Sequence, residues 1–585
     1  MHNPSTRRTF LTSALAAPAL AQPARAAAKR PNVIVILTDD QGYGDFSCHG
    51  NPLLKTPAMD RLHAESVRFT SFHAAPMCTP TRGQLLTGQD ACRNGATSVT
   101  AGRALVRSGI PMMPEVFAAS GYATGLFGKW HVGDAYPYRP MDRGFQEAKY
   151  FMGWGLSSAP EFDNDYFNGR YLDNGRPARF EGYCADFWFG QAMSWIGKQQ
   201  ARRQPFFLYL PTNTPHGPAW VDRKYSAPYS KPGAPANFFG MIANLDENIA
   251  KLDDYLGRSG LRDDTVVVFM TDNGGTGGVN FYNAGMRGRK TQNYEGGHRV
   301  PCFVRWPAGG LRVAEDIGTP TQLQDVLPTL IDLCGLKKPA AARFDGISLA
   351  PLLRSKTAAL PDRKLVVQYG QTPKKWDACV VWGKWRLVGE NDLYDMDADP
   401  AQKASVASSQ GAVLKQMRNH YEQWWAGVEK LVADFAPLSI GADAENPVTL
   451  TCSDWQDIYC DNVHSVLSGI GGPRGGPWRV LVEKSGEYQI ELSRWPFHRA
   501  LALDAPCPET PLTVAKLEAG KAFPVAGAQL RIAGQTASVK TKPGDKSAGF
   551  RVKLAGGTKT DMQGWFQDAQ GADLCGAFYA RVKRV

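Results

Sequence analysis

Short, almost wholly apolar runs recur through the first half of the chain, and helix-like stretches of mixed character separate them. Asn32-Val33-Ile34-Val35-Ile36-Leu37-Thr38 is rich in β-branched residues, which predicts a strand buried on both faces. Pro205-Phe206-Phe207-Leu208-Tyr209-Leu210 and Thr265-Val266-Val267-Val268-Phe269-Met270 predict two more, and the run from Tyr122 to Phe127 a fourth. Continuous apolar strands alternating with helices predict an α/β fold, a mostly parallel sheet sandwiched by helices. Sheets of this kind bind ligands beyond the carboxyl ends of their strands.

The residues after each strand therefore carry the chemical information. The first strand ends in Asp39-Asp40. The run from Tyr122 leads to Lys129 and His131, the strand at Phe206 to His216, and the strand at Val266 to Asp272-Asn273. Any one of these reads equally well as a turn or cap residue. Together they bring carboxylates, an amide, a lysine and two histidines to one edge. Asp39, Asp40, Asp272 and Asn273 offer oxygen ligands only, which suits a hard cation, Ca²⁺ or Mg²⁺. Adjacent carboxylates also repel each other unless a cation or a proton intervenes.

The pattern changes around Lys384 to Tyr394, where short strands precede a helix expected over Ala412 to Leu431. This predicts a small α+β subdomain. From about residue 436, Val448-Thr449-Leu450, Trp478-Arg479-Val480-Leu481-Val482, Tyr488-Gln489-Ile490-Glu491-Leu492 and Phe578-Tyr579-Ala580-Arg581-Val582 read as strands with turns between them. A C-terminal all-β accessory domain is expected there. The expected organisation is a signal over 1–27, a catalytic α/β domain over 28–365, a small subdomain over 366–435 and the β-rich domain over 436–585. In that last domain Trp455, Trp478, Trp495 and Trp565 could stack on sugars, although such residues more often fill cores.

Charge and the N-terminus bound the setting. The 585 residues carry a net charge of +11, which can steer anionic substrates or simply solvate a surface. No Lys/Arg block or nucleic-acid-binding motif stands out, so a nucleic-acid partner is not expected. Thr6-Arg7-Arg8-Thr9-Phe10-Leu11 resembles a twin-arginine export signal. An apolar run from Phe10 to Ala21 and a cleavage site at Ala24-Arg25-Ala26 follow. That run is too short to span a bilayer and no later stretch is long enough, so no membrane span is expected. The expected location is periplasmic or secreted. Among 11 cysteines, Cys452 and Cys460 are close enough to invite a disulfide, and no zinc-binding spacing occurs.

Cys78 stands apart. Cys78-Thr79-Pro80-Thr81-Arg82 is followed by Gly83-Gln84-Leu85-Leu86-Thr87-Gly88. Pro80 suits the start of a helix, whose free N–H groups and positive dipole end would seat a sulfate or an alkoxide. Read on its own, the cysteine could equally be a low-pKa thiol or a buried structural residue. The segment as a whole resembles the signature of the type I, formylglycine-dependent sulfatases of the alkaline-phosphatase-like superfamily. Further blocks extend the resemblance over residues 30 to 430. They are Arg30-Pro31-Asn32 to Asp45, Thr56-Pro57 with Asp60-Arg61-Leu62, Gly128-Lys129-Trp130-His131-Val132-Gly133 and Thr214-Pro215-His216. Later come Arg287-Gly288-Arg289-Lys290, Tyr294-Glu295-Gly296-Gly297 with Arg299-Val300-Pro301, Phe344-Asp345-Gly346, and Leu393-Tyr394-Asp395 with Asp399-Pro400. Thr81, Arg289 and His298 depart from the usual residues at their positions.

The resemblance implies a sulfatase hydrolysing sulfate monoesters, with aryl sulfates as promiscuous substrates and a sulfated small molecule or glycan as the natural one. It implies that a formylglycine-generating enzyme converts Cys78 to formylglycine (3-oxoalanine), whose hydrate is the nucleophile. It implies Ca²⁺, with Mg²⁺ as the alternative, held by Asp39, Asp40, the modified Cys78, Asp272 and Asn273. Arg82 and Lys129 would orient the nucleophile, Lys290 and His216 would contact the sulfate and the leaving oxygen, and His131 would be the base. Two other readings stay open at this point: a phosphate or phosphonate monoester hydrolase of the same superfamily, and a non-catalytic protein binding sulfated glycans.

Overall fold

A computed structural model describes Met1, residues 30–312 and residues 314–585. The export signal expected over 1–27 lies, apart from Met1, outside the described residues. Pro31–Val585 form one compact unit.

Eleven strands make the central sheet. They are β1 Asn32–Thr38, β2 Val67–His73, β3 Ala123–Lys129, β4 Glu147–Phe151, β5 Arg170–Asp173, β6 Arg176–Arg179, β7 Phe206–Pro211, β8 Thr265–Thr271, β9 Arg299–Arg305, β10 Asp316–Ile317 and β11 Thr321–Gln322. Their order is β10-β2-β9-β8-β1-β7-β3-β4-β5-β6, with β11 also on β2. The centre, β8-β1-β7-β3-β4, is parallel throughout. β9 and the β5–β6 hairpin run antiparallel to their neighbours.

β1 shows why the apolar runs are continuous. All seven of its residues are buried. Val33, Val35 and Leu37 pack on one side with helices Met113–Ala119 and Val326–Cys334; Ile34 and Ile36 pack on the other with helices Cys184–Ala201 and Ala236–Arg258. Alternate side chains point to opposite faces, so a sheet covered on both faces needs apolar residues at every position. The four strands expected from sequence are all present, the first with the bounds expected and the other three shifted by one or two residues at one or both ends.

After the central sheet comes an antiparallel meander, β12 Leu365–Gln368, β13 Ala378–Trp382, β14 Trp385–Val388 and β15 Asp392–Asp395, covered by helix Gly411–Ala426. The single helix expected to reach Leu431 breaks at Gly427 and resumes as Glu429–Val432. The C-terminal region holds a six-stranded sheet and a four-stranded sheet whose inward residues share one core. One short helix, Val463–Ser468, interrupts its strands. Trp455, Trp478, Trp495 and Trp565 are between 0% and 1% exposed, the first three within that core, so they cannot stack on a sugar. Cys452 and Cys460 are buried free thiols, not a disulfide.

Candidate active site

The sheet's topology delivers the site residues. β1, β7 and β8 are parallel neighbours, and β3 lies beside β7. Their carboxyl ends therefore open at one edge, and the residues that follow converge there. Two of them hold left-handed backbone unusual outside glycine, Asp40 at φ 69° and His131 at φ 59°. Gly128 is required for another reason. It has φ 128°, and a Cβ there would meet the Pro211 carbonyl oxygen at 2.0 Å. Only glycine lets the end of β3, with Lys129 and His131, lie so close to β7.

Cys78 opens helix α2, Cys78–Thr87 in the present numbering, with α1 being Pro57–Ala64. Every residue of α2 is buried although half of them are polar. Its threonines are satisfied: Thr79 Oγ1 donates to the His131 carbonyl (3.0 Å), Thr81 Oγ1 to the Ala75 carbonyl (3.1 Å) and Thr87 Oγ1 to the Gly83 carbonyl (2.6 Å). Thr81 is thus accommodated by its own hydrogen bond. Gly88, at φ 69°, ends the helix. The helix starts Cys78 in the midst of the strand-end carboxylates.

Three carboxylates and three cations interlock around the thiol. Lys129 Nζ donates to Asp39 Oδ2 at 2.7 Å, with both side chains fully buried. Arg82 Nη2 donates to Asp272 Oδ2 at 2.9 Å and Nη1 to the Lys129 carbonyl at 3.1 Å. Lys290 Nζ donates to Asp40 Oδ1 at 2.5 Å and reaches Cys78 Sγ at 3.4 Å. Asn273 Nδ2 donates to the same Asp40 oxygen at 3.0 Å. His216 Nε2 lies 3.6 Å from Asp40 Oδ2. The structure thus brings together Asp39, Asp40, Cys78, Arg82, Lys129, His216, Asp272, Asn273 and Lys290.

His131 adjoins this cluster. Its Nε2 faces the Val99 carbonyl at 3.2 Å, and its Nδ1 is buried with no hydrogen-bond partner. A carbonyl only accepts, so Nε2 carries the proton and Nδ1 a free lone pair. Burial, together with Lys129 and Arg82, holds its pKa well below the usual 6.5 and keeps the ring neutral.

Burial shifts the other groups in ways their neighbours modify. It raises the Cys78 thiol to about 12, against the pull of Lys129 and Lys290. It raises Asp272 to about 7, aided by the Asp39 charge. It opposes ionisation of Asp40 as well, but Lys290 and His216 outweigh it and hold that carboxyl well below the usual range. His216 falls to about 4 through burial, partly offset by Asp40.

The donor set fits a divalent cation. Asp39 Oδ1 and Asn273 Oδ1 are buried acceptors with no donor. Such atoms are costly unless a cation or a proton meets them. One oxygen each of Asp39 and Asp272 lies within 4.8 Å of the other and of Cys78 Sγ, and Asp40, Cys78 and His216 form a second such group. Asp39, Asp40, Asp272 and Asn273 offer oxygen ligands, which favours a hard ion.

A model of the sulfatase family matches residues 31–336. The chain belongs to the sulfatase family. This sulfatase is 31% identical over 385 residues to the N-acetylgalactosamine-6-sulfatase of Homo sapiens, covering 60% of this chain and 70% of that one. It is 31% identical over 373 residues to arylsulfatase A of Homo sapiens, covering 56% of this chain and 68% of that one. A crystal structure titled Ps i-CgsB in complex with k-i-k-neocarrahexaose superposes with a TM-score of 0.63 at 26% identity, covering 68% of this chain and 92% of that one. The sulfatase is a sulfuric ester hydrolase on an alkaline-phosphatase-like fold. Among the described residues no helix is long and apolar enough to cross a membrane.

Sequence reasoning missed the rest of the site's wall. Tyr369, just after β12, packs beside Cys78 with its hydroxyl buried and unpartnered. Trp154, in the loop after β4, lies 4.9 Å from the His216 ring. Neither sits in a motif, and only the folded chain brings them to the thiol.

Proposed function

We propose that this sulfatase hydrolyses sulfate monoesters of sulfated carbohydrates through a formylglycine hydrate made from Cys78, assisted by one divalent cation, calcium. The observation that carries this reading is Lys290 Nζ, set between Asp40 Oδ1 and Cys78 Sγ. In the matured enzyme the position of Sγ stands for the two hydroxyl oxygens of the hydrate. The carbohydrate substrate is supported by relatives named for N-acetylgalactosamine-6-sulfatase activity and by a similar fold described with k-i-k-neocarrahexaose.

When bound to Asp39, Asp40, Asp272 and Asn273, a divalent cation supplies positive charge for an oxygen of the sulfate and for the nucleophile. The chain's own residues do the rest. One hydroxyl of residue 78, ionised by loss of its proton to solvent, attacks sulfur in line with the ester oxygen, so an O–S bond forms as the bond to the alcohol breaks. Arg82 and Lys129, fixed by Asp272 and Asp39, hold positive charge behind the nucleophile. Lys290 or His216 gives a proton to the departing oxygen. His131 Nδ1 then takes the proton of the remaining hydroxyl, sulfate leaves, and the aldehyde returns for hydration by water.

We also propose that export removes residues 1–27 and delivers the enzyme to the periplasm or beyond. The catalytic, small and β-rich domains are assigned to 28–365, 366–435 and 436–585, and a formylglycine-generating enzyme is the maturation partner. The test is sulfate release from 4-nitrophenyl sulfate and from N-acetylgalactosamine 6-sulfate by enzyme matured in a competent host. Cys78→Ala should lose about 10³-fold or more in kcat/KM. Chelation should abolish activity, and added Ca²⁺ should restore it. Full activity in Cys78→Ala would refute the nucleophile.

A further inference from the structure

The aromatic residues expected to contact sugar are buried, but another aromatic is placed to do so. Tyr459 is 48% exposed, more than any other Phe, Tyr or Trp among the described residues. It belongs to the C-terminal region, yet Lys290 and Cys78 both lie within electrostatic reach of its hydroxyl.

The segment bearing Tyr459 is tied to the catalytic part on both sides of it. On one side, Thr100 Oγ1 donates to the Ser453 carbonyl (3.0 Å) and Arg103 Nη2 to Asp457 Oδ1 (3.0 Å). On the other, the Asp461 carbonyl accepts from Trp154 Nε1 (2.9 Å) and from the Ala159 amide (2.8 Å). Trp154 in turn lies against the ring of His216 at 4.9 Å, inclined by 37°. Asp461 is 1% exposed, its Oδ1 accepts from Asn462 Nδ2 (3.5 Å), and its carboxyl meets the Tyr459 side chain. A loop anchored at both ends holds its exposed ring without the ordering cost of a free one.

We propose that Tyr459 and Trp154 form the platform that binds the pyranose ring carrying the scissile sulfate, with Asp461 as the residue that positions both. The proposal rests on the carbohydrate-sulfatase reading above. A pyranose presents an apolar C–H face that packs on an aromatic ring and hydroxyls that pair with the phenol. Trp154 sets that face beside His216, and Tyr459 stands two residues from the Asp461 carbonyl that holds Trp154. The C-terminal region thereby supplies a specificity residue to a site built from the central sheet.

The test is the KM–kcat split on N-acetylgalactosamine 6-sulfate for the mature wild type, Tyr459→Ala and Tyr459→Phe. Tyr459→Ala should raise KM about tenfold with kcat held within about twofold, and Tyr459→Phe, which keeps the ring, should stay within about threefold of the wild-type KM. An unchanged KM in Tyr459→Ala overturns the platform. A fall in kcat at constant KM overturns it too, because Tyr459 would then be supporting the catalytic groups. Wild-type turnover of 4-nitrophenyl sulfate but of no sugar sulfate overturns the carbohydrate reading and the platform together. Turnover of neither overturns the sulfatase reading itself.

Discussion

Arg82 shows how much of the site is held by charge pairing. It is fully buried, and its guanidinium spans Asp272 and the Lys129 carbonyl. Burial disfavours its charge, but Asp272, Asp39 and Tyr209 outweigh that and raise its pKa. Removing one partner of a buried pair leaves the other uncompensated, at a cost of about 3–5 kcal/mol. Arg82→Ala should therefore lower the melting temperature as well as abolish turnover. A variant that loses activity at unchanged melting temperature would show that Arg82 carries no structural load. At this scale the motifs were readable. Asp39, Asp40, Lys129, His216, Asp272 and Asn273 follow strands, and a parallel sheet leaves them nowhere to go but one edge. Tyr369, Trp154, Tyr459 and Asp461 were not readable, because no local pattern marks a side chain that meets its partner only through tertiary packing.

Between elements, a second buried pair joins two parts of the fold. Glu295, in the turn before β9, accepts from Arg386 Nε of β14 at 2.5 Å, with both side chains nearly inaccessible. The pair fastens the small meander to the segment leading into β9. Burial would raise the Glu295 carboxyl, but Arg386 and the neighbouring histidines outweigh it and hold it well below its ordinary 4.5. A depressed carboxyl contributes stability that is complete above its unfolded value and is lost as pH falls through its folded one. Arg386→Met should thus be less stable than wild type at neutral pH, and the gap should shrink as pH is lowered below about 4.5. Thermal melts of both proteins across that range give the answer, and a constant gap would contradict it. His73 and His298 share this cluster, their Nδ1 atoms 3.0 Å apart. His298, which departs from the usual residue at its position, thus takes part in a buried hydrogen bond. The helix Gly411–Ala426 was legible from its periodicity, but its end was not, since Gly427 breaks it before the apolar pattern stops.

For the whole molecule, the notable feature is how the C-terminal sheets join the catalytic part. Leu105, Ala135, Tyr138, Ala159 and Phe162 lie in the same core cluster as the inward residues of both sheets. Tyr579 Oη also donates to the Ala159 carbonyl at 2.7 Å. A chain cut after residue 435 would expose this face, and exposed apolar patches of that kind drive aggregation. Truncation there should give insoluble or inactive protein, and the full chain should melt in one transition. A soluble, fully active 31–435 fragment would contradict that expectation. The sequence announced a β-rich region by its alternating strands, but alternation says which face is buried and not what covers it. That is why its tryptophans could be read as sugar contacts until the fold closed over them.

The central claim is the chemistry at residue 78, and mass spectrometry of tryptic peptide 69–82 tests it most directly, on protein made in a host with the modifying enzyme. Formylglycine should make that peptide about 18 Da lighter than its cysteine form and reactive toward a hydrazide. Unmodified cysteine in a preparation that nevertheless releases sulfate at full rate would contradict the account.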